Sequence, residues 1–205
     1  IDGKDVEGTV RCKLMTLSAE GEQFELFFPQ IWPIDGYTYP EGVGKETFAR
    51  GLAQRLLCGN PISSDLDAND AAAIGLPAIS VGCGACDDCR TVIAGTHPDL
   101  HMIYRQLNRE HSDSTVRKRK GLELGVDVVR EFIIDKVART PQRGRAKVFI
   151  IKEADVLNVE AQNALLKTLE EPPGATYLIL LVVGLDYLLP TTQSRCQIVR
   201  FQALP

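Results

Sequence analysis

Apolar positions along this chain change their spacing from stretch to stretch, and the spacing predicts the elements. Val148 to Ile151 form a continuous apolar run, as do Tyr177 to Val183, the pattern of strands covered on both faces. Between them, "NVEAQNALLKTLEEPPG" reads as a helix with Asn158 as N-cap, ended by Pro172, Pro173 and Gly174. In "GVDVVREFIIDKVA", Val126, Val129, Ile133 and Val137 recur at helical intervals, which predicts an amphipathic helix. The stretch "KETFARGLAQRLL" places Phe48, Leu52, Leu56 and Leu57 on one helical face directly after the glycine-rich "PEGVG". A strand, a glycine loop and a helix are implied there.

Short strands are predicted within "HPDLHMIYRQ" and at "QIVRF", while "LNREHSDSTVRKRKG" is polar and reads as a loop. "GNPISSDLDANDAAAIGLPAISVG" mixes turn formers with small residues and is expected to be an exposed insertion. Residues 1–35 stay unassigned, because Pro29 and Pro33 interrupt the one apolar run, "FELFFPQIW". Strands alternating with helices across 36–205 predict an α/β fold, a parallel sheet flanked by helices.

Composition narrows the function classes. A net charge of −4 argues against general coating of nucleic acid. Locally the balance differs: from Arg105 to Lys120 six basic residues face two acidic ones, a solvated loop or a surface for phosphate or a partner. No apolar stretch is long enough to span a bilayer and the first residues carry no signal-peptide pattern, so a cytoplasmic protein with no membrane partner is expected. In that reducing setting six cysteines suggest metal or thiol chemistry rather than disulfides. The chain opens on Ile1 and stops at "FQALP", as a fragment would.

Two stretches carry candidate chemistry. The loop "YPEGVGKET" resembles a Walker A phosphate loop, in which glycines let backbone N–H groups wrap phosphates, a lysine reaches the terminal phosphates, and a hydroxyl follows for magnesium. Gly42, Gly44 and Lys45 fit; Tyr39 stands where the first glycine belongs, and Glu46 where the hydroxyl belongs. The second stretch is "CGACDDC". Cys83, Cys86 and Cys89 at two-residue spacings can wrap one zinc ion, with Cys58 closing a four-sulfur site. Four sulfurs leave no open coordination position, so that zinc is expected to be structural, within an element spanning about residues 58–95. His97 and His101 are spare ligands at most.

Taken together, "PEGVGKETFARGLAQRLLC", "CGACDDCRTVIAGTHPDLH", "AQNALLKTLEEPPG" and "SRC" resemble the clamp-loader branch of the AAA+ family, the delta-prime type of bacterial DNA polymerase III first and the gamma/tau type second. The likeness runs from about Gly36 to Phe201, with four motifs in the family's order. It implies a P-loop AAA+ module with an inserted zinc-binding element, working in DNA replication beside other clamp-loader subunits (gamma/tau and delta). Through that assembly it implies contact with the sliding clamp and primed DNA. The lid and collar domains expected to follow are absent from this sequence.

Against the family pattern, Lys152 takes the place of the magnesium-binding aspartate, Glu153 keeps the place of the water-activating glutamate, and Val182 and Val183 stand where a polar phosphate sensor is expected. Counting Glu46, three positions have lost Mg-ATP chemistry, so hydrolysis is expected to be lost and ATP is a doubtful ligand. In a working site one ion bridges the two positions held here by Glu46 and Lys152, which predicts that they pair with each other instead. Arg195 of "SRC" is, by the same resemblance, a finger acting in trans on a neighbouring ATPase. The alternatives are a gamma/tau-like motor that tolerates these substitutions, or a zinc-dependent nucleic-acid-binding module.

Overall fold

The computed structural model describes residues 10–15 as backbone, together with 44–64, 79–143 and 145–201. Five strands make the main sheet: β1 (Val10–Met15), β4 (Leu100–Ile103), β5 (Lys147–Ile151), β6 (Thr176–Val182) and β7 (Gln197–Phe201), in the order β4-β5-β6-β1-β7. Strands β4, β5 and β6 are parallel, with Leu100 opposite Val148 and Lys147 opposite Thr176. Strand β1 is antiparallel to both β6 and β7, so β7 runs with the parallel set and β1 alone runs against it. The expectation of a parallel sheet therefore holds for four strands. It fails for β1, which comes from the segment whose pattern predicted nothing. The proline-interrupted run and Gly42 lie outside the described residues.

Period-two alternation along β5 sends side chains into two cores. Val148 and Ile150 pack with Ile179 and Leu181 of β6 against α1 (Lys45–Leu57) and Val92 of α2 (Asp87–Ile93). Phe149 and Ile151 pack with Leu178, Leu180 and Val182 against helices on the opposite face. Those helices are α4 (Val126–Val129), continued through a π-helical turn (Arg130–Ile134) into α5 (Asp135–Val137), and α6 (Val159–Glu170). All five β5 residues are buried, which explains why the strand reads as an unbroken apolar run.

Most predicted helices form as read. In α6 Asn158 is the N-cap, its side chain accepting from the Ala161 N–H at 2.9 Å. Helix α1 buries Ala49, Leu52, Ala53 and Leu57, with Phe48 and Leu56 at the edge of that face. The polar segment after β4 departs from its loop reading. It folds into a 3-10 turn (Arg105–Glu110) and a short helix α3 (Ser114–Arg117), anchored by buried Leu107 and Val116 and capped by Asp113, which accepts from the Thr115 N–H at 2.7 Å. Three of its basic residues are used internally: Arg105 with Glu153, Arg119 with Asp127, and Arg117 on the carbonyls of His111 and Ser112.

At the start of β5, the buried Lys147 ammonium donates to the carbonyls of Val137 and Arg139, at and just past the end of α5. Strand β2 (Ile62–Ser64) and strand β3 (Ile79–Val81) form a separate antiparallel pair. Among the described residues no helix is long and apolar enough to cross a membrane.

Candidate metal knuckle and degenerate phosphate site

Cys58 ends α1, and Cys83, Cys86 and Cys89 lie between β3 and the first turn of α2, so two elements carry the four thiols to one point. Their sulfurs all lie within 4.8 Å of one another. The Sγ atoms of Cys58 and Cys86 are 3.8 Å apart, and those of Cys83 and Cys89 are 3.9 Å apart. Four sulfurs at the zinc–thiolate distance on a tetrahedron are separated by about 3.8 Å, so the spacing fits a metal. Three backbone N–H groups point at the sulfurs: Cys83 to Cys58 at 3.3 Å, Cys86 to Cys83 at 3.4 Å, and Cys89 to Cys86 at 3.4 Å. Such donors stabilise thiolate over thiol. For Cys86, with the Cys89 N–H as the main cause, they hold the thiol down at about 6; for buried Cys89, loss of solvent pushes it up to about 12.

The knuckle sits tightly on α1. A Cβ added to Gly82 would lie 2.8 Å from Gln54 Cγ and 3.1 Å from the Gln54 carbonyl oxygen, so only glycine lets the two backbones approach. Neither histidine joins the thiols. His97 is buried with Nδ1 accepting from the Asp99 N–H at 3.0 Å, and His101 stacks on Phe149 with ring centroids 4.6 Å apart.

The second site forms where the C-terminal ends of β4, β5 and β6 meet the start of α1, the usual crevice of a parallel sheet. Gly44 caps α1 in the left-handed region at φ +77°. Lys45 Nζ donates to the Val182 carbonyl at 3.4 Å, so the loop lysine points at the tip of β6. Lys152 Nζ lies 2.9 Å from Glu46 Oε2, the pairing expected from sequence. Arg50, one turn along α1, holds the other Glu46 oxygen at 2.9 Å. The sequence reading missed that partner, although the i,i+4 spacing of Glu46 and Arg50 is its signal. Burial is less than a closed pocket demands: the two paired side chains retain 31% and 21% of their exposure.

Glu153 is engaged on both oxygens, by Arg105 Nε at 2.9 Å and by the Arg105 backbone N–H at 3.1 Å. No local spacing announces this contact across two strands. Three cations, Arg50, Arg105 and Lys152, thus pair with two carboxylates, while Lys45 is held on the Val182 carbonyl. Among the described residues, both carboxylates of this crevice are already paired with cations.

Arg195 lies apart from these groups, just past α7 (Pro190–Gln193). Its Nε donates to Glu170 Oε1 at 2.5 Å, Nη2 pairs with the same oxygen, and Nη1 donates to the Thr191 carbonyl at 2.9 Å. The side chain keeps 32% exposure, so the guanidinium is oriented yet reachable. Glu170 as its holder is a residue that sequence reasoning did not find.

With this geometry in place, similarity to known proteins places the chain. A model of the family described as DNA polymerase III, delta subunit, matches residues 37–205. The DNA polymerase III subunit delta' of Pseudomonas aeruginosa is 39% identical over 157 residues, covering 77% of this chain and 39% of that protein. Its counterpart in Escherichia coli strain K12 is 35% identical, covering 77% and 38%. The subunit tau of Salmonella typhimurium is 34% identical over 163 residues, covering 80% and 20%. The chain spans about two fifths of the length of these delta' relatives. The family match extends over the phosphate-loop remnant, the cysteine knuckle and the "SRC" arginine alike, and the chain belongs to the DNA polymerase III delta-subunit family, in its delta-prime branch.

Proposed function

We propose that this chain is part of a clamp-loader subunit that does not hydrolyse ATP itself and lends Arg195 to the ATP site of a neighbouring gamma/tau-type subunit. The observation that carries this reading is the 2.9 Å contact between Lys152 and Glu46. Where a working phosphate site holds magnesium between two oxygen ligands, a cation and an anion here satisfy each other directly. Glu153, the carboxylate at the water-activating position, is held at both oxygens by Arg105, which ties up its basic lone pairs. Gly44 and Lys45, at the start of α1, keep groups that can meet a phosphate without the metal chemistry. Arg195 suits action in trans because Glu170 and Thr191 fix its fork while its outer edge stays exposed.

Zinc is the ion this reading assigns to Cys58, Cys83, Cys86 and Cys89, since four thiolates at tetrahedral spacing are its closed structural set. Bound there, it supplies cross-linking of α1 to α2 and no catalytic position. The gamma/tau and delta subunits, the sliding clamp and primed DNA are the partners that the reading implies for the whole assembly.

The test is a titration with a fluorescent ATP analogue, with magnesium and with chelator. The reading expects no magnesium-strengthened binding, and expects Glu46→Thr combined with Lys152→Asp to create it, by about tenfold or more in affinity. Magnesium-dependent binding by the unaltered chain would return the motor reading. For the finger, Arg195→Ala is expected to slow hydrolysis in the reconstituted loader by roughly 10³-fold, with this chain still folded. Unchanged turnover would remove that assignment.

A further inference from the structure

A groove of about 580 Å³ is lined by residues that neither the cysteine knuckle nor the Glu46–Lys152 crevice uses. Three chain segments wall it: the stretch before α4, the loop and first turn of α6 after β5, and the 185–190 stretch after β6. Three large apolar side chains stand open on those walls, Leu122 at 71%, Tyr187 at 58% and Val159 at 54% exposure, each from a different wall. Singly exposed apolar residues need no explanation, but these three share one concavity.

Around this apolar floor stand Glu123, Asp155, Glu160 and Asp186, with no lysine, arginine or histidine in the lining. None of the four carboxylates belongs to an ion pair among the described residues. Four carboxylates thus meet on one lining with no basic side chain among them to offset their charge.

The walls are also fixed in advance. Buried Gln162 donates from Nε2 to the carbonyls of Leu157 and Tyr187 at 3.1 Å each, and its Oε1 accepts from the Leu189 N–H at 2.7 Å. One amide therefore ties two walls together. The third is joined by the Leu124 N–H on the Val156 carbonyl at 2.9 Å and the Asn158 N–H on the Leu124 carbonyl at 3.4 Å. A groove held by buried bonds keeps its shape without a ligand, which lowers the entropy lost on binding.

We infer that this groove binds a protein segment with large apolar anchors flanked by lysine or arginine, an amphipathic basic helix or strand of a partner. Charge complementarity selects that occupant: four unpaired carboxylates repel nucleic-acid phosphates and attract a basic peptide. The inference stands independently of the hydrolysis reading, since none of its residues touches the phosphate site.

The probe is a synthetic amphipathic helix of about 14 residues, with leucine and tryptophan on one face and lysine and arginine at its flanks, titrated against the whole chain by fluorescence anisotropy. A counterpart carrying glutamate for every basic residue is the control, and a labelled duplex DNA is titrated separately against the chain. The basic peptide is expected to bind at least about tenfold more tightly than the acidic one. Leu122→Ala with Tyr187→Ala is expected to weaken it by about tenfold, and these open side chains can be trimmed without opening the core. Glu160→Gln with Asp186→Asn is expected to weaken it severalfold and flatten its salt dependence, whereas Glu110→Gln with Glu171→Gln, outside the groove, leaves it unchanged. Equal binding of both peptides, equal losses in groove and control variants, or labelled duplex DNA bound by the chain and weakened by the same groove variants would each overturn the inference.

Discussion

The cysteine knuckle and the Glu46–Lys152 pair are two answers to the same electrostatic problem. At the knuckle, four sulfurs crowd within 4.8 Å, and as thiolates they repel one another unless a cation sits among them. At the crevice, the cation is a side chain, and Lys152 meets Glu46 at 2.9 Å with no ion needed. Under the proposed reading the first arrangement ties the fold to a metal, while the second closes without one. A ligand set of one charge sign asks for an ion, and a mixed set closes on itself.

The largest effect expected is at the knuckle. Cys89→Ser, at a buried ligand, is expected to abolish bound zinc by elemental analysis and to lower stability by about 3 kcal/mol, roughly 6–12 °C in Tm. A variant that keeps full zinc content would break the comparison. Next, Gly82→Ala forces the knuckle off Gln54 and is expected to cost about 1–2 kcal/mol in thermal denaturation, with zinc retained.

At the crevice the effect is smaller. Partial exposure sets the worth of the Glu46–Lys152 pair at no more than about 1 kcal/mol, below the roughly 3–5 kcal/mol that truncating one partner of a fully buried pair costs. A double-mutant cycle on Glu46→Ala and Lys152→Ala measures it, and a chelator is expected to leave that coupling unchanged. The smallest effect separates acid loss at the knuckle from the background. Burial holds His101 down at about 4, against about 6.5 in an unfolded chain. Protonation therefore favours the unfolded state, so its stabilisation is complete above about 6.5 and is lost as pH falls toward about 4. His101→Phe is expected to flatten that window by under about 1 kcal/mol in urea titrations at several pH values, since the ring is only half-buried.

How legible each part was in the sequence follows from how local its cause is. Strands β5 and β6 were readable because burial on both faces forces an unbroken apolar run, and α6 because its cap and stop are written in Asn158 and Pro172. The four thiols were readable because three recur at two-residue spacings within one short stretch, and the Glu46–Lys152 pair because the family pattern brings those positions together. Other contacts had no local cause. Arg105 on Glu153, Arg195 on Glu170 and the Gln162 staple join residues far apart in sequence, through polar groups whose spacing carries no period. The reversed β1 was equally silent, since strand direction is set by pairing and not by composition.

Lys147 binds the fates of two elements. Its ammonium is held out of water by the last carbonyls of the α5 region, so lifting β5 from the sheet would also strip the helix end of its cap, and fraying the helix would strand a charge beneath the strand. Neither piece can open alone at low cost. The backbone amides of Ala138 and Val148, distant along the chain, should therefore exchange their hydrogens with solvent as one cooperative unit.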